Sequence, residues 1–191
     1  MDKIFTKNIE HESAVKHVTG KAIYTDDISE PKNLLHAVIG YSNCSKGVIK
    51  KIDYKDVLSS EGVVDIITEK DIEGINDVGP IFKGDKIFTS KNIEYYGQPI
   101  FAVIAKTNNL AKKAALKVKI DLKISKPIVS IEEALKKKSF VLKPKHLTRG
   151  DIKDGFKKSD NILKGKLYSG GQDHFYLEGQ IAMTIPQEDN N

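Results

Sequence analysis

The chain has 191 residues, with 31 Lys and Arg against 26 Asp and Glu, a net charge of +5, 39% hydrophobic residues and 30% charged ones. These proportions exclude a disordered chain, and the length suffices for one domain or one and a half, burying roughly 70% of the unfolded surface. No apolar run approaches the ~20 residues that span a bilayer, and the start at Met1-Asp2-Lys3-Ile4-Phe5 lacks a signal peptide's apolar segment, so a cytoplasmic location is expected.

Cys44 is the single cysteine, which excludes an internal disulfide and leaves no Cys/His grouping with zinc or iron-sulfur spacing. Its neighbours Ser42, Asn43, Ser45 and Gly47 make it an ordinary loop or core thiol. Charge is uneven: residues 106–166 hold 18 Lys/Arg against 6 Asp/Glu, or +12, and the remainder balances at −7. A nucleic-acid surface is argued against by the aromatics, because only Phe140 lies between Phe101 and Phe156 and base-stacking platforms are missing. The lysines are read as a solvated face.

In chain order, residues 1–17 are polar and irregular, an arm that needs a neighbour to order it. Residues 34–41 and 47–53 are strand-like. Asp53 is placed to cap a short helix over 53–58, and Gly62 ends it before a strand at 63–67. Residues 68–86, with glycines, a proline and several acids, form a loop with one helical turn at 70–73. A strand is predicted over 95–105, ending in the buried run Ile100-Phe101-Ala102-Val103-Ile104-Ala105, and Tyr96-Gly97-Gln98-Pro99 shapes its beginning or an interface. Asn108 caps a helix over 109–116, and residues 118–122 alternate as a strand. Strand, helix and strand in tight succession imply an α/β layer packed on another. Residues 125–165 are the join, with helices over 131–137 and 152–158. Strands are predicted at 162–168 and 181–185, with a Gly-Gly-Gln loop and an aromatic turn between them.

That loop, Ser169-Gly170-Gly171-Gln172-Asp173-His174-Phe175-Tyr176-Leu177-Glu178-Gly179-Gln180, joins a backbone bare of side chains to a neutral amide that both donates and accepts. The paired glycines let backbone approach a ligand and permit positive φ. The run Gly170 to Glu178 resembles the segment that opens the molybdenum-binding part of the xanthine dehydrogenase and aldehyde oxidase family. Other segments follow that family's order: His11 to Ile28, Asn76-Asp77-Val78-Gly79-Pro80, Tyr96-Gly97-Gln98-Pro99, Ile131-Glu132-Glu133-Ala134-Leu135, Ser139-Phe140-Val141-Leu142 and Arg149-Gly150-Asp151. Phe140 and Leu177-Glu178-Gly179-Gln180 are similar to the bacterial branch, whose molybdopterin-binding subunit leaves its iron-sulfur and flavin parts on another chain.

The resemblance implies an α+β (α/β) fold: an α/β hammerhead domain at 18–125, a linker with short helices at 126–160, and the first strands of a molybdopterin-binding domain at 161–191. It implies a molybdenum-molybdopterin cofactor, with FAD and [2Fe-2S] on a partner subunit or domain. It assigns Gly171 and Gln172 to cofactor binding, Gln172 reaching molybdenum through a ligand oxygen that its amide hydrogen-bonds. It implies oxidative hydroxylation of hypoxanthine or xanthine to urate, with electrons passed through the iron-sulfur/FAD subunit to NAD, in a dimer of heterodimers. The alternatives are another molybdenum hydroxylase, acting on an aldehyde or heterocycle, and a non-catalytic subunit-association module.

No catalytic residue is expected here, since the family's base glutamate lies downstream of residue 191, and the isolated chain is expected to be an inactive fragment whose last ~40 residues are poorly ordered alone. Glu178 is read as a carboxylate that pairs with backbone, and His174 as a structural histidine. Asp26 and Asp27 are read as solvated turn acids. His11, His17, His36 and His146 receive no role.

Overall fold

The computed structural model describes residues 10–188. Its helices are α1 (Ala14–Val18), α2 (Lys55–Leu58), α3 (Asn108–Ala115), α4 (Ile131–Lys137) and α5 (Ile152–Lys158); its strands are β1 (His36–Tyr41), β2 (Gly47–Asp53), β3 (Val63–Ile67), β4 (Asn92–Ile93), β5 (Pro99–Ala105) and β6 (Lys119–Ile124). The chain divides into two compact units, one over Lys32–Thr148 and one joining Met1–Pro31 to Arg149–Asn191.

The first unit holds two three-stranded antiparallel sheets, ordered β1-β5-β3 and β4-β2-β6. β5 is central, which explains its nearly unbroken apolar run: Ile100, Phe101, Ala102, Val103 and Ala105 are all buried. Its only proline, Pro99, stands at the first position, where a missing N–H does least harm to the ladder. β6 instead alternates, with Ile120 and Leu122 turned to the core and Lys119, Asp121 and Lys123 exposed.

α3 packs against β1, β3 and β5 through Ala111 and Ala114, both buried and one helical turn apart. Small side chains on that face bring the helix close to the sheet, while Lys112 and Lys113 occupy its last turn. The core is completed by Val57, Ile93, Ile49 and Cys44. Phe101 lies opposite Gly40 in the β1/β5 register, and the edge of its ring meets Tyr54 at 5.3 Å between centroids. A Cβ on Gly40 would fall 2.2 Å from Phe101 Cζ, so this glycine makes room for the ring.

Several starting points differ from the sequence expectation. The cap of α3 is Thr107, whose hydroxyl accepts from Leu110 N–H at 3.3 Å, and Asn108 is already helical. Thr107 has extended dihedrals, as a cap needs, and its oxygen is the one aimed at the free amides. Asp53 does accept from Lys55 N–H at 3.0 Å, but the helix begins only at Lys55 and Tyr54 is the flanking residue. The regular part of the expected strand over 95–105 begins at Pro99, because Gly97 adopts φ +79 in a turn. The helical turn after β3 is a 3-10 turn at Glu69–Asp71 capped by Thr68.

The second unit begins with α1, a helical turn where an irregular arm was predicted. Thr19 Oγ1 donates to Val15 O at 2.6 Å and closes it. The rest of the predicted arm, residues 1–9, lies outside the described residues. A 3-10 turn, Thr25–Asp27, follows. α5 is capped by Asp151, which accepts from Asp154 N–H at 3.0 Å, and carries a Lys158–Asp154 ion pair at 2.7 Å. The strands predicted at 162–168 and 181–185 do not form. A strand's N–H and C=O groups need a neighbouring strand, and this segment is solvated, with Leu163 at 99% and Leu167 at 94% exposure.

Candidate functional site

The Gly-Gly-Gln loop lies in the second unit, and every residue from Ser169 to Gln180 is exposed. Neither Gly170 nor Gly171 takes a positive φ; among the described residues of this loop that conformation falls on Phe175, at φ 48. The glycines therefore contribute missing side chains rather than left-handed backbone. A Cβ on either would meet no atom within 4 Å, so the backbone just before Gln172 faces open space.

Downstream the loop is tied locally and at long range. Gln180 Nε2 donates to the Tyr176 hydroxyl. Glu178 Oε1 accepts from the backbone N–H of Thr25 at 3.4 Å, so its carboxylate pairs with backbone. Asp27, one of the two turn acids, accepts from Tyr24 N–H at 3.0 Å. Among the described residues, no group of three or more His, Cys, Asp or Glu side chains is placed to hold a metal ion. The loop carries the amides of Gln172 and Gln180, the carboxylates of Asp173 and Glu178, His174, and the bare backbone of its paired glycines. The glycine backbone and the Gln172 amide together fit a hydrogen bond to an oxygen of a bound group, and the amide itself is neither acid nor base.

Two further polar residues singled out by the sequence, Cys44 and Gln98, serve the fold. Cys44 is buried, and Ser42 Oγ donates to its carbonyl at 2.7 Å while accepting from its N–H at 3.2 Å. Gln98 is buried as well. Its Oε1 accepts from Glu94 N–H at 2.8 Å, and its carbonyl accepts from Ser42 N–H at 2.8 Å, which fixes how β5 begins. An apolar groove of about 810 Å³ runs past Val38, Gly40, Phe101, Leu116, Ile120 and Leu122. It belongs to the first unit and contains no residue of the Gly-Gly-Gln loop.

Comparison with known proteins divides the chain at other boundaries than the two compact units do. The sequence model for the aldehyde oxidase and xanthine dehydrogenase a/b hammerhead domain matches residues 19–126, and that for the molybdopterin cofactor-binding domain matches residues 132–191. The fold is therefore a hammerhead domain followed by the start of a molybdopterin-binding domain. The chain belongs to the aldehyde oxidase and xanthine dehydrogenase family.

Among its relatives are xanthine dehydrogenase of Dictyostelium discoideum, 38% identical over 96% of this chain and 13% of that protein, and aldehyde oxidase 2 of Rattus norvegicus, 37% identical over 95% and 13%. The chain thus spans about an eighth of the length of these relatives. The aldehyde oxidoreductase of Desulfovibrio desulfuricans is similar in structure, with a TM-score of 0.58 and 33% identity over 66% of this chain and 15% of that one. Quinoline 2-oxidoreductase from Pseudomonas putida, at 20% identity over 66% of this chain and 17% of that one, with a TM-score of 0.55, shares the fold.

Proposed function

We propose that this chain is the N-terminal part of the molybdenum-cofactor subunit of a xanthine dehydrogenase, which oxidatively hydroxylates hypoxanthine and xanthine to urate. The observation that carries this reading is the unbroken run Gly170-Gly171-Gln172-Asp173-His174-Phe175-Tyr176-Leu177-Glu178, placed where bare backbone and an amide face open space. The matches to both family domains support it. In the same reading the hammerhead domain covers residues 18–125, the join 126–160, and the opening of the cofactor domain 161–191. Electrons leave through an iron-sulfur/FAD subunit to NAD, and the enzyme is a cytoplasmic dimer of heterodimers. No described helix is long and apolar enough to cross a membrane.

The cofactor, when bound, supplies the two-electron oxidation of the substrate. The chain's own part is to bind and orient it. Gly171 presents backbone without a side chain, and Gln172 holds a ligand oxygen by a hydrogen bond from its amide. An amide neither takes nor gives up a proton at neutral pH, so Gln172 orients and tunes and performs no proton transfer.

In the complete enzyme, Gln172→Ala is expected to slow xanthine turnover by about 10- to 100-fold with molybdenum content unchanged. An unchanged rate would remove Gln172 from the mechanism. A second reading is favoured by the near-equal identity to xanthine dehydrogenase and aldehyde oxidase, 38% and 37%: a sibling hydroxylase that oxidises aldehydes. Rates of the complete enzyme on purines and on aldehydes separate the two.

A further inference from the structure

The contact between Glu178 and Thr25 links positions 153 residues apart, and it joins the Gly-Gly-Gln segment to the N-terminal turn. That turn is itself well tied. Tyr24 N–H donates to Asp27 Oδ2 at 3.0 Å, and Asp27 N–H returns a bond to Tyr24 O at 3.0 Å. The Tyr24 hydroxyl lies 3.2 Å from His17 Nδ1 on α1, with the two rings tilted at 6.1 Å between centroids. A connected set of contacts therefore runs from α1 through Tyr24 and the turn to the carboxylate of Glu178.

The other end of this set is the loop. Gln172 follows two glycines and lies in an exposed stretch without a β ladder, so its backbone has many conformations to lose before the amide can be aimed. An ionised carboxylate accepting from a backbone N–H is charge-assisted and stronger than a neutral pair. Glu178 stands two residues from Tyr176 and two from Gln180, whose side chains are hydrogen-bonded to each other, so the segment around it is drawn into a local turn.

We propose that Glu178 is a positioning residue for the cofactor loop, acting through the Thr25 amide so that residues 17–27 brace the segment that presents Gln172. This rests on the reading of Gln172 given above. Glu178 touches neither substrate nor cofactor in this role; it limits where the loop can go.

The test uses the complete enzyme. Glu178→Ala is expected to lower kcat by about three- to tenfold with KM unchanged, the size of a single hydrogen bond. Hydrogen exchange should rise together in peptides covering 22–28 and 169–180. Glu178→Gln keeps an accepting oxygen but not the charge, and should restore both readouts in part. Thr25→Pro deletes the donor from the other side. Tyr24 is extended and Thr25 opens a turn, both compatible with proline, so the change removes the N–H with little backbone penalty. The double variant should be no slower than either single one.

Additive losses in the double variant would overturn the proposal, as would Glu178→Ala leaving exchange at 22–28 unaltered. Gln172→Ala separates the two levels of inference. If it is slow while Glu178→Ala is silent in rate and exchange, the brace alone is wrong. If Gln172→Ala is silent, the reading of the loop is wrong, and the exchange data still decide whether Glu178 holds it.

Discussion

Tyr54 shows how one side chain reports on the packing around it. Burial against the Phe101 ring, and secondarily the charge of Asp71, push its hydroxyl from 10.0 up to about 12. The protonated form is thus the one the folded state prefers. Its contribution to stability is fully present below pH 10.0, the unfolded value, and is lost as pH rises toward about 12. Denaturant melts are expected to show stability falling across that window, and Tyr54→Phe should flatten the fall; a pH-independent Tyr54 protein would mean the hydroxyl is solvated. Nothing in the sequence around Tyr54 announces this, because the partners Phe101 and Asp71 come from other parts of the chain. Gln98 is similar. The sequence places it at the beginning of a strand, but its bond to Glu94 N–H is visible only in three dimensions.

Elements were legible wherever their determinants are local. β2, β3, α4 and α5 fall on the residues expected, since Ser130 and Asp151 cap within three positions of themselves and Lys138 ends α4 in a left-handed conformation. α3 moved by one residue because Thr107 and Asn108 are both competent caps and only dihedrals choose between them. The pairing of β1 with β5 was not legible, and it places Gly40 against Phe101. Gly40→Ala is expected to destabilise the protein by about 1–3 kcal/mol through overpacking, despite the ordinary gain from removing a strand glycine. Phe101→Leu in the same background should recover part of the loss in a thermal or urea melt. A neutral Gly40→Ala would place the ring elsewhere.

At the scale of the whole molecule, residues 32–148 contain both sheets and the core cluster, whereas the described residues 159–188 contain no strand and are largely exposed. In the 191-residue chain by itself, hydrogen exchange should therefore be slowest in β5, which is paired on both sides, and faster across 160–188. Protection across 160–188 equal to that of β5 would mean that this segment pairs into a sheet. The sequence by itself determined the family, the Gly-Gly-Gln run, the spans of α4 and α5 and the buried apolar run of β5, because these depend on residue types a few positions apart. Tertiary structure alone decided the sheet order β1-β5-β3 and β4-β2-β6, the room Gly40 leaves for Phe101, and the reach of Glu178 to Thr25. It also decided that residues 162–168 and 181–185 stay irregular. Strand propensity is local, but a strand exists only where another strand accepts its hydrogen bonds, and that partner is chosen by the fold.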